Sequence, residues 1–274
     1  MRVALIPPTP DLHRLPRTGI HLVLSHLFNG SGYLEYYEER RDDGDYLVLD
    51  NGAHELGIGE EEKSLLLKAK SIRAQEVVVP DVLFDRRGTV ERAKRFLRFV
   101  SSREGASTYE ESGRPRLMLV PQATERNEWG VCLKTLLSAW DLHTSRSDTE
   151  FESPVIGISK DYESWRGGLK RLIKDFVEPL YEERDFDVHL LGWANNLWAT
   201  AEIASEFPWV RSTDSAKPFV FAKRGIKLEP GGAIPRYPRR DREYFNESLL
   251  RWQWEIAMVN VEVYKAAALG ELVS

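Results

Sequence analysis

Residues 209–217, WVRSTDSAK, carry the clearest fold signal in the sequence. A short apolar and β-branched run ends there at Asp214, and small polar residues that cannot continue a buried strand follow at once. Three earlier apolar runs end in the same way, at Asp50, Asp81 and Gln122. A (β/α)8 barrel builds its active site from side chains at the C-terminal ends of several strands. We therefore predict that these four side chains converge on one pocket.

Composition and charge are typical of an ordinary globular protein. The 274 residues are enough for one large α/β domain or two small ones. Of these residues, 42% are hydrophobic and 30% are charged. No apolar run approaches the roughly 20 residues that cross a bilayer, and the first residues predict a strand rather than a signal peptide. The single cysteine, Cys132, excludes an internal disulfide and a Cys-rich zinc site and indicates a reducing cytoplasm. The net charge of −5 argues weakly against a histone-like binder.

Strand and helix patterns alternate with about the period of a barrel, which implies parallel strands. Strands are predicted at residues 3–7, 46–49, 76–80, 116–120, 155–158, 188–191 and 209–213, with an eighth at 219–222. Helices are predicted at residues 19–28, 60–72, 90–100, 127–140, 169–181 and 197–205, and a polar loop at 101–114. We predict a single α/β domain over residues 1–274, a (β/α)8 TIM-type barrel with a basic Pro/Gly loop (223–241) and a last helix (243–268). A doubly wound open sheet is the alternative fold.

Six segments, in order, carry a resemblance to a known family. They are DNGAHE (50–55), Asp81, LVPQ (119–122), IGIS (156–159), HLLG (189–192) and STD (212–214). They resemble the Asp-Ser-Gly-Gly-Phe-Gln, base-reading Asp, Ile-Val-Gln, Gly-Leu-Ala-Val-Gly, Tyr-Leu-Met-Gly and nucleophile segments of the tRNA-guanine transglycosylase superfamily. The chain is most similar to the short, phage-type members that insert 7-deazaguanine bases into DNA.

The resemblance implies a DNA-guanine transglycosylase that exchanges guanine for a preQ0-type 7-deazaguanine through a covalent aspartyl intermediate at C1′. Asp214 would be the nucleophile and Asp50 the general acid and base, as a carboxylate pair at C1′ requires. Asp81 would accept from N1 and N2 of guanine, and Gln122 would donate to O6. Backbone at Gly157 and Gly192 would assist them, with Leu191 and His54 as walls of the base slot. DNA and a free base would be the partners, in the cytoplasm of a bacterium or a phage-infected cell.

Four of these residues also have an ordinary alternative role. Asp214 could be a helix N-cap or turn residue, Asp50 lies in a good turn sequence, and Gln122 could simply begin a polar loop. His54 could be a partly buried polar residue. No phosphate-binding or dinucleotide-binding glycine motif is found, and the histidines lack metal-ligand spacing, so we predict no cofactor and no metal.

The chain departs from the tRNA enzymes in three places. Their Cys-x-Cys-x2-Cys…His zinc site cannot be formed with one cysteine, so the zinc-binding subdomain that helps dock tRNA is missing. His54 stands in place of a stacking aromatic, and Val82 in place of a Glu. These departures favour DNA over tRNA as the substrate.

Basic residues after Asp214 are candidates for phosphate contacts with a flipped-out or single-stranded nucleotide. They are Lys217, Lys223, Arg224, Arg236, Arg239 and Arg240. A solvated surface is their ordinary alternative. Competing functions are a tRNA transglycosylase, a catalytically silent nucleic-acid-binding partner subunit and a barrel hydrolase with another substrate. Whether the protein works as a homodimer or with a partner protein stays open.

Overall fold

The computed structural model describes residues 1–28, 30–145, 147, 150–192, 196–230 and 243–272. Within these residues, eight short strands alternate with helices. The strands are β1 (Arg2–Leu5), β2 (Ile20–Leu24), β3 (Tyr46–Asp50), β4 (Glu76–Val78), β5 (Arg116–Leu119), β6 (Val155–Ser159), β7 (Asp187–Leu191) and β8 (Val210–Ser215). The α-helices are α1 (Ser31–Asp42), α2 (Ala53–Leu56), α3 (Glu62–Ile72), α4 (Arg86–Val100), α5 (Arg103–Glu111), α6 (Arg126–Thr144), α7 (Gly168–Leu172), α8 (Glu178–Tyr181), α9 (Leu197–Glu206), α10 (Lys217–Lys223) and α11 (Arg251–Leu269). A π-helical turn (Ile173–Val177) joins α7 to α8, and 3₁₀ turns cover Thr9–Arg14, Ser25–Leu27 and Lys160–Ser164.

The strands form one parallel sheet in the order β1-β8-β7-β6-β5-β4-β3-β2. β1 and β2, at the two ends of this order, lie in contact, so the sheet is curved into a nearly closed barrel. Helices lie between the strands along the chain, as parallel crossovers require. This architecture confirms the predicted (β/α)8 TIM-type barrel over the doubly wound open sheet.

The strands are buried on both faces because the barrel interior covers one side and the helices cover the other. β4 is buried throughout. On the outer ring, α4 turns Ala93, Phe96, Leu97 and Val100 inward at helical spacing. The core therefore lies both inside the barrel and between the barrel and its helices.

Residues 19–28, predicted as a helix, form β2 and a 3₁₀ turn instead. All five residues of β2 are buried, so its apolar side chains point to both faces. Over so short a window, a strand with two apolar faces cannot be distinguished from a buried helix by spacing alone.

Residues 219–222, predicted as the eighth strand, lie in α10. Pro218 stands in the first turn of this helix, where its fixed φ and missing N–H are tolerated. Residues 218–222 are all buried, which explains the strand-like apolar run. Because β2 is gained and this strand is lost, the prediction of eight strands still holds.

Three further segments differ from the predictions. Residues 103–111 form α5 rather than a polar loop, and Ser102 caps this helix by accepting from the Gly105 N–H at 3.1 Å. The last helix begins at Arg251 rather than residue 243. Lys223 ends α10 instead of opening a loop, and residues 231–241 of the predicted basic loop lie outside the described residues.

Charged side chains close the N-terminal end of the barrel. Glu76, at the start of β4, is fully buried and accepts two hydrogen bonds from the Arg211 guanidinium, at 2.8 and 3.0 Å. The hydroxyl of Tyr46 donates to the same carboxylate at 2.9 Å. A bidentate arginine–carboxylate pair of this kind is strong and has a well-defined geometry. The opposite, C-terminal end of the barrel is where an open cavity lies.

Candidate active site

A cavity of about 1020 Å³ lies at the C-terminal ends of the strands. Its wall contains all four side chains predicted to converge: Asp50, Asp81, Gln122 and Asp214. Asp50 ends β3 and Asp214 lies in the last part of β8, while Asp81 and Gln122 follow β4 and β5. His54, Leu191, Gly192 and Lys217 line the same cavity, as do Lys160 and Phe84, which the sequence did not single out. The strand-end pattern therefore located the cavity.

Asp50 is an acid whose ionisation is strongly disfavoured. Burial, followed by the negative charge of Glu55, raises the pKa of Asp50 from 3.8 to about 8, and the charges of Asp81 and Asp214 add to the rise. The Gly52 N–H opposes it by donating to Asp50 Oδ2 at 2.9 Å. Gly52 has a φ of +77°, which an L side chain rarely adopts, so this turn favours glycine. With a pKa of about 8, the Asp50 carboxyl group is mostly protonated at neutral pH and can deliver a proton.

Asp81 is held in place by two amide groups. The Asn51 side chain donates to Asp81 Oδ1 at 2.7 Å, and Gln122 donates to Asp81 Oδ2 at 2.6 Å. Burial raises the pKa of Asp81, and these two hydrogen bonds oppose the rise. Each carboxylate oxygen keeps a lone pair for another donor. Asp81 can thus present two acceptors side by side to a ligand in the cavity.

Gln122 has its orientation fixed by its oxygen. The hydroxyl of Tyr162 donates to Gln122 Oε1 at 2.5 Å, and the Phe84 N–H donates to the same atom at 3.2 Å. The amide nitrogen therefore faces Asp81 and has one further N–H for a ligand. Phe84 itself has a φ of +58°, an uncommon and costly conformation for a bulky residue.

Asp214 is anchored through one carboxylate oxygen. Asp214 Oδ1 lies 3.1 Å from Nε2 of His189 and accepts from the Gly192 N–H at 2.8 Å. The side chains of His189 and Asp214 are almost completely buried. On the other side of the imidazole, Nδ1 of His189 lies 2.8 Å from the Ser212 hydroxyl. β7 and β8 hold these groups together, because His189 and Ser212 are register partners.

Not every predicted contact residue reaches the cavity. Gly157 does not line the cavity. A Cβ at this position would meet the side chains of Met118, Leu191 and Val120. Gly157 therefore lies behind the cavity wall, and its missing side chain leaves space for these neighbours. Lys223 and Arg224 do not line it either, and the Lys223 ammonium lies 2.6 Å from Glu247. Arg236, Arg239 and Arg240 lie outside the described residues.

The site also contains residues that the sequence analysis did not single out for a role. Asn51, Tyr162 and His189 position the predicted side chains through hydrogen bonds. One signal was available: His189 is a polar residue within an otherwise apolar strand core, where a polar side chain needs a partner. Asn51 and Tyr162 gave no signal that separates them from ordinary turn and core residues.

Comparison with known proteins gives no family assignment: no family model and no curated protein matches the chain. Within the described residues, no helix is both long and apolar enough to cross a membrane. The same part of the chain has no group of three or more His, Cys, Asp or Glu side chains arranged to hold a metal ion.

Proposed function

We propose that the protein is a guanine transglycosylase acting on DNA, which exchanges guanine for a 7-deazaguanine base of the preQ0 type. The observation that carries this proposal is the meeting of three different acidic groups in one cavity. Asp50 is protonated at neutral pH, Asp81 is held as a paired acceptor beside an amide, and Asp214 is anchored through one oxygen. Base exchange needs an acid, a base-reading group and a nucleophile.

The first half of the reaction uses Asp214 and Asp50. A carboxylate oxygen of Asp214 bonds to C1′ of the target nucleotide as the C1′–N9 bond breaks, and the electron pair of that bond leaves with guanine. Asp50 gives its proton to the departing base. A carboxylate nucleophile suits an oxocarbenium-like C1′, as in retaining glycoside hydrolysis. In the second half, Asp50 takes the N9 proton of the incoming base, N9 bonds to C1′, and Asp214 is released.

Base selection follows from the acceptors and donors of Asp81 and Gln122. Guanine and 7-deazaguanine present donors at N1 and N2 and an acceptor at O6, which match the Asp81 carboxylate and the free N–H of Gln122. Adenine presents the opposite pattern and would leave buried polar groups unpaired, a penalty that gives strong discrimination. Leu191 and His54, both on the cavity wall, would flank the base.

Two features support a nucleic-acid substrate, and DNA in particular. The volume of about 1020 Å³ is at the upper end of the ~300–1,000 Å³ typical of small-molecule sites, so a base with its sugar can enter. Lys217 lines the same cavity as Asp214, where a basic side chain can approach a phosphate. A single cysteine cannot supply the zinc site of the tRNA enzymes, which favours DNA.

The proposal is tested by guanine-for-guanine exchange. Purified protein is incubated with radiolabelled guanine and guanine-containing oligonucleotides, one of DNA and one of RNA, and label in the polymer is counted. We expect incorporation into DNA, with labelled adenine as the negative control. Nucleoside mass spectrometry of DNA and tRNA from expressing cells supplied with 7-deazaguanines identifies the inserted base. Label in RNA alone would replace DNA with RNA as the substrate, and no label in either would refute transglycosylation.

A further inference from the structure

His189 lies inside the barrel with a hydrogen-bonding partner at each ring nitrogen. Its side chain is fully buried, with Nε2 3.1 Å from Asp214 Oδ1 and Nδ1 2.8 Å from the Ser212 hydroxyl. A buried imidazole needs both nitrogens satisfied, and this geometry satisfies both. His189 contacts Asp214 directly, whereas Ser212 can influence Asp214 only through the imidazole ring of His189.

The surrounding groups select one tautomer of His189. An ionised Asp214 can only accept, so Nε2 carries the proton, and Nδ1 of a neutral ring must then accept from Ser212. Arg211 supports this arrangement because its Nε donates to Ser212 Oγ at 3.3 Å, which leaves the hydroxyl hydrogen for Nδ1. The Arg211 guanidinium is itself fixed by Glu76 at the closed end of the barrel.

We propose that His189 is a positioning residue that decides which oxygen of Asp214 reacts, an inference that rests on the proposed function. Oδ1 receives both His189 Nε2–H and the Gly192 N–H. Oδ2 is therefore the oxygen that bonds to C1′, and Oδ1 becomes the ester carbonyl of the intermediate. His189 does not touch the substrate.

The same hydrogen bond assists the second half of the reaction. When N9 of the incoming base bonds to C1′, the C1′–Oδ2 bond breaks and its electron pair returns to Asp214. Donors already aimed at Oδ1 stabilise the charge that develops there, as preorganised donors do at an oxyanion. A hydrogen bond to a charged group corresponds to about 10- to 100-fold in a rate or equilibrium constant. Without the donor, the covalent intermediate should decay more slowly.

Two amide substitutions separate this role from simple core packing. In His189→Gln the side-chain nitrogen can reach the position of Nε2 and keep the donor to Asp214. In His189→Asn the shorter side chain reaches only the position of Nδ1, so the donor is lost. The two variants differ by one methylene and are both neutral, so a packing role alone would affect them similarly.

The experiment measures decay of the protein–DNA adduct after a chase with unlabelled guanine. We expect decay about 10- to 100-fold slower in His189→Asn, and within about threefold of wild type in His189→Gln. Thermal unfolding of both variants checks that they fold equally. Equal chase rates in the two folded variants, or a wild-type rate in His189→Asn, would overturn the role of His189.

A second measurement depends neither on turnover nor on the folding of the two His189 variants. Nitrogen-15 NMR of ring-labelled histidine in the wild-type protein reports the tautomer of His189, assigned with Ser212→Ala. We expect a proton on Nε2 and none on Nδ1. A proton on Nδ1, or on both nitrogens, would overturn the proposed arrangement. If the wild type shows this tautomer but forms no adduct with DNA or RNA, transglycosylation has failed while the hydrogen-bond assignment stands.

Discussion

Replacing Asp50 with asparagine should stabilise the protein at neutral pH, although it removes a residue proposed to act in catalysis. Burial and the charge of Glu55 raise the pKa of Asp50 from 3.8 to about 8. The folded state therefore binds a proton that the unfolded state releases between these two values. In that window the free energy of unfolding falls as pH rises. Below pH 4 both states are protonated and the effect is absent.

The magnitude follows from the width of the window. One pKa unit corresponds to about 1.4 kcal/mol, so three units between pH 4 and pH 7 cost the folded wild type about 4 kcal/mol. Solvent in the cavity reaches part of the Asp50 side chain, which reduces this penalty. In the Asp50→Asn variant, the side-chain amide oxygen can still accept from the Gly52 N–H. We expect this variant to gain roughly 2–4 kcal/mol at pH 7 and nothing at pH 4.

Urea unfolding at pH 4, 5, 6, 7 and 8, followed by tryptophan fluorescence, measures this difference. Asp81→Asn is the comparison variant, because burial raises the pKa of this carboxyl group as well, but both of its oxygens already accept from amide donors. In Asp81→Asn the new side-chain NH₂ group would face one of those amide donors, and that hydrogen bond would be lost. We therefore expect the free energy of unfolding to fall by about 1–3 kcal/mol. If Asp50→Asn were less stable than wild type at pH 7, or if its gain did not grow with pH, the assignment of Asp50 as a protonated acid would be wrong.

Four further predictions concern the reaction. Asp214→Asn should abolish base exchange and the covalent adduct on a denaturing gel, while the circular dichroism spectrum stays unchanged. Asp50→Asn should cut turnover roughly 10²–10⁴-fold. If Asp214→Asn formed the adduct and Asp50→Asn did not, the two roles would be reversed. Asp81→Ala should raise the KM for the free base and narrow the preference for guanine over adenine in competition assays, and an unchanged preference would contradict its role. Treatment with a chelator should leave exchange unchanged, and stoichiometric zinc in active protein would contradict this. Gly157→Ala should raise the KM for the base more than it lowers the melting temperature, because its Cβ would come within 2.9 Å of Leu191 and Val120 on the cavity wall.

The sequence was most informative where a strand ends. A carboxylate or amide at the end of a buried run marks the C-terminal end of a strand, so Asp50, Asp81, Gln122 and Asp214 could be assigned to one cavity from the sequence. The pattern failed where burial removes periodicity. β2 is apolar on both faces and residues 218–222 are buried in a short helix, so the two runs carry the same signal for different structures.

Contacts across strands were also beyond prediction. The contact between His189 and Asp214 depends on the register of β7 and β8, which includes an irregularity between Val188 and His189. Asn51 and Tyr162 act through side-chain hydrogen bonds to residues distant in sequence. Gly157 was expected to contact the base through its backbone, but its missing Cβ instead gives space to neighbouring side chains. Residue types alone do not reveal such partners.

The pairing of β1 with β8 has a consequence for how the protein is made. Ala4 stands opposite Asp214 in that pairing, so a neighbour of the strand that carries this carboxylate comes from the far end of the chain. On the ribosome β1 emerges early and must wait for β8 before it can pair. Contacts between such distant segments carry a large loop-closure entropy and form slowly. Asp214 therefore gains its β1 neighbour only after nearly the whole barrel has been translated, and a nascent chain that stops short of β8 lacks the proposed nucleophile.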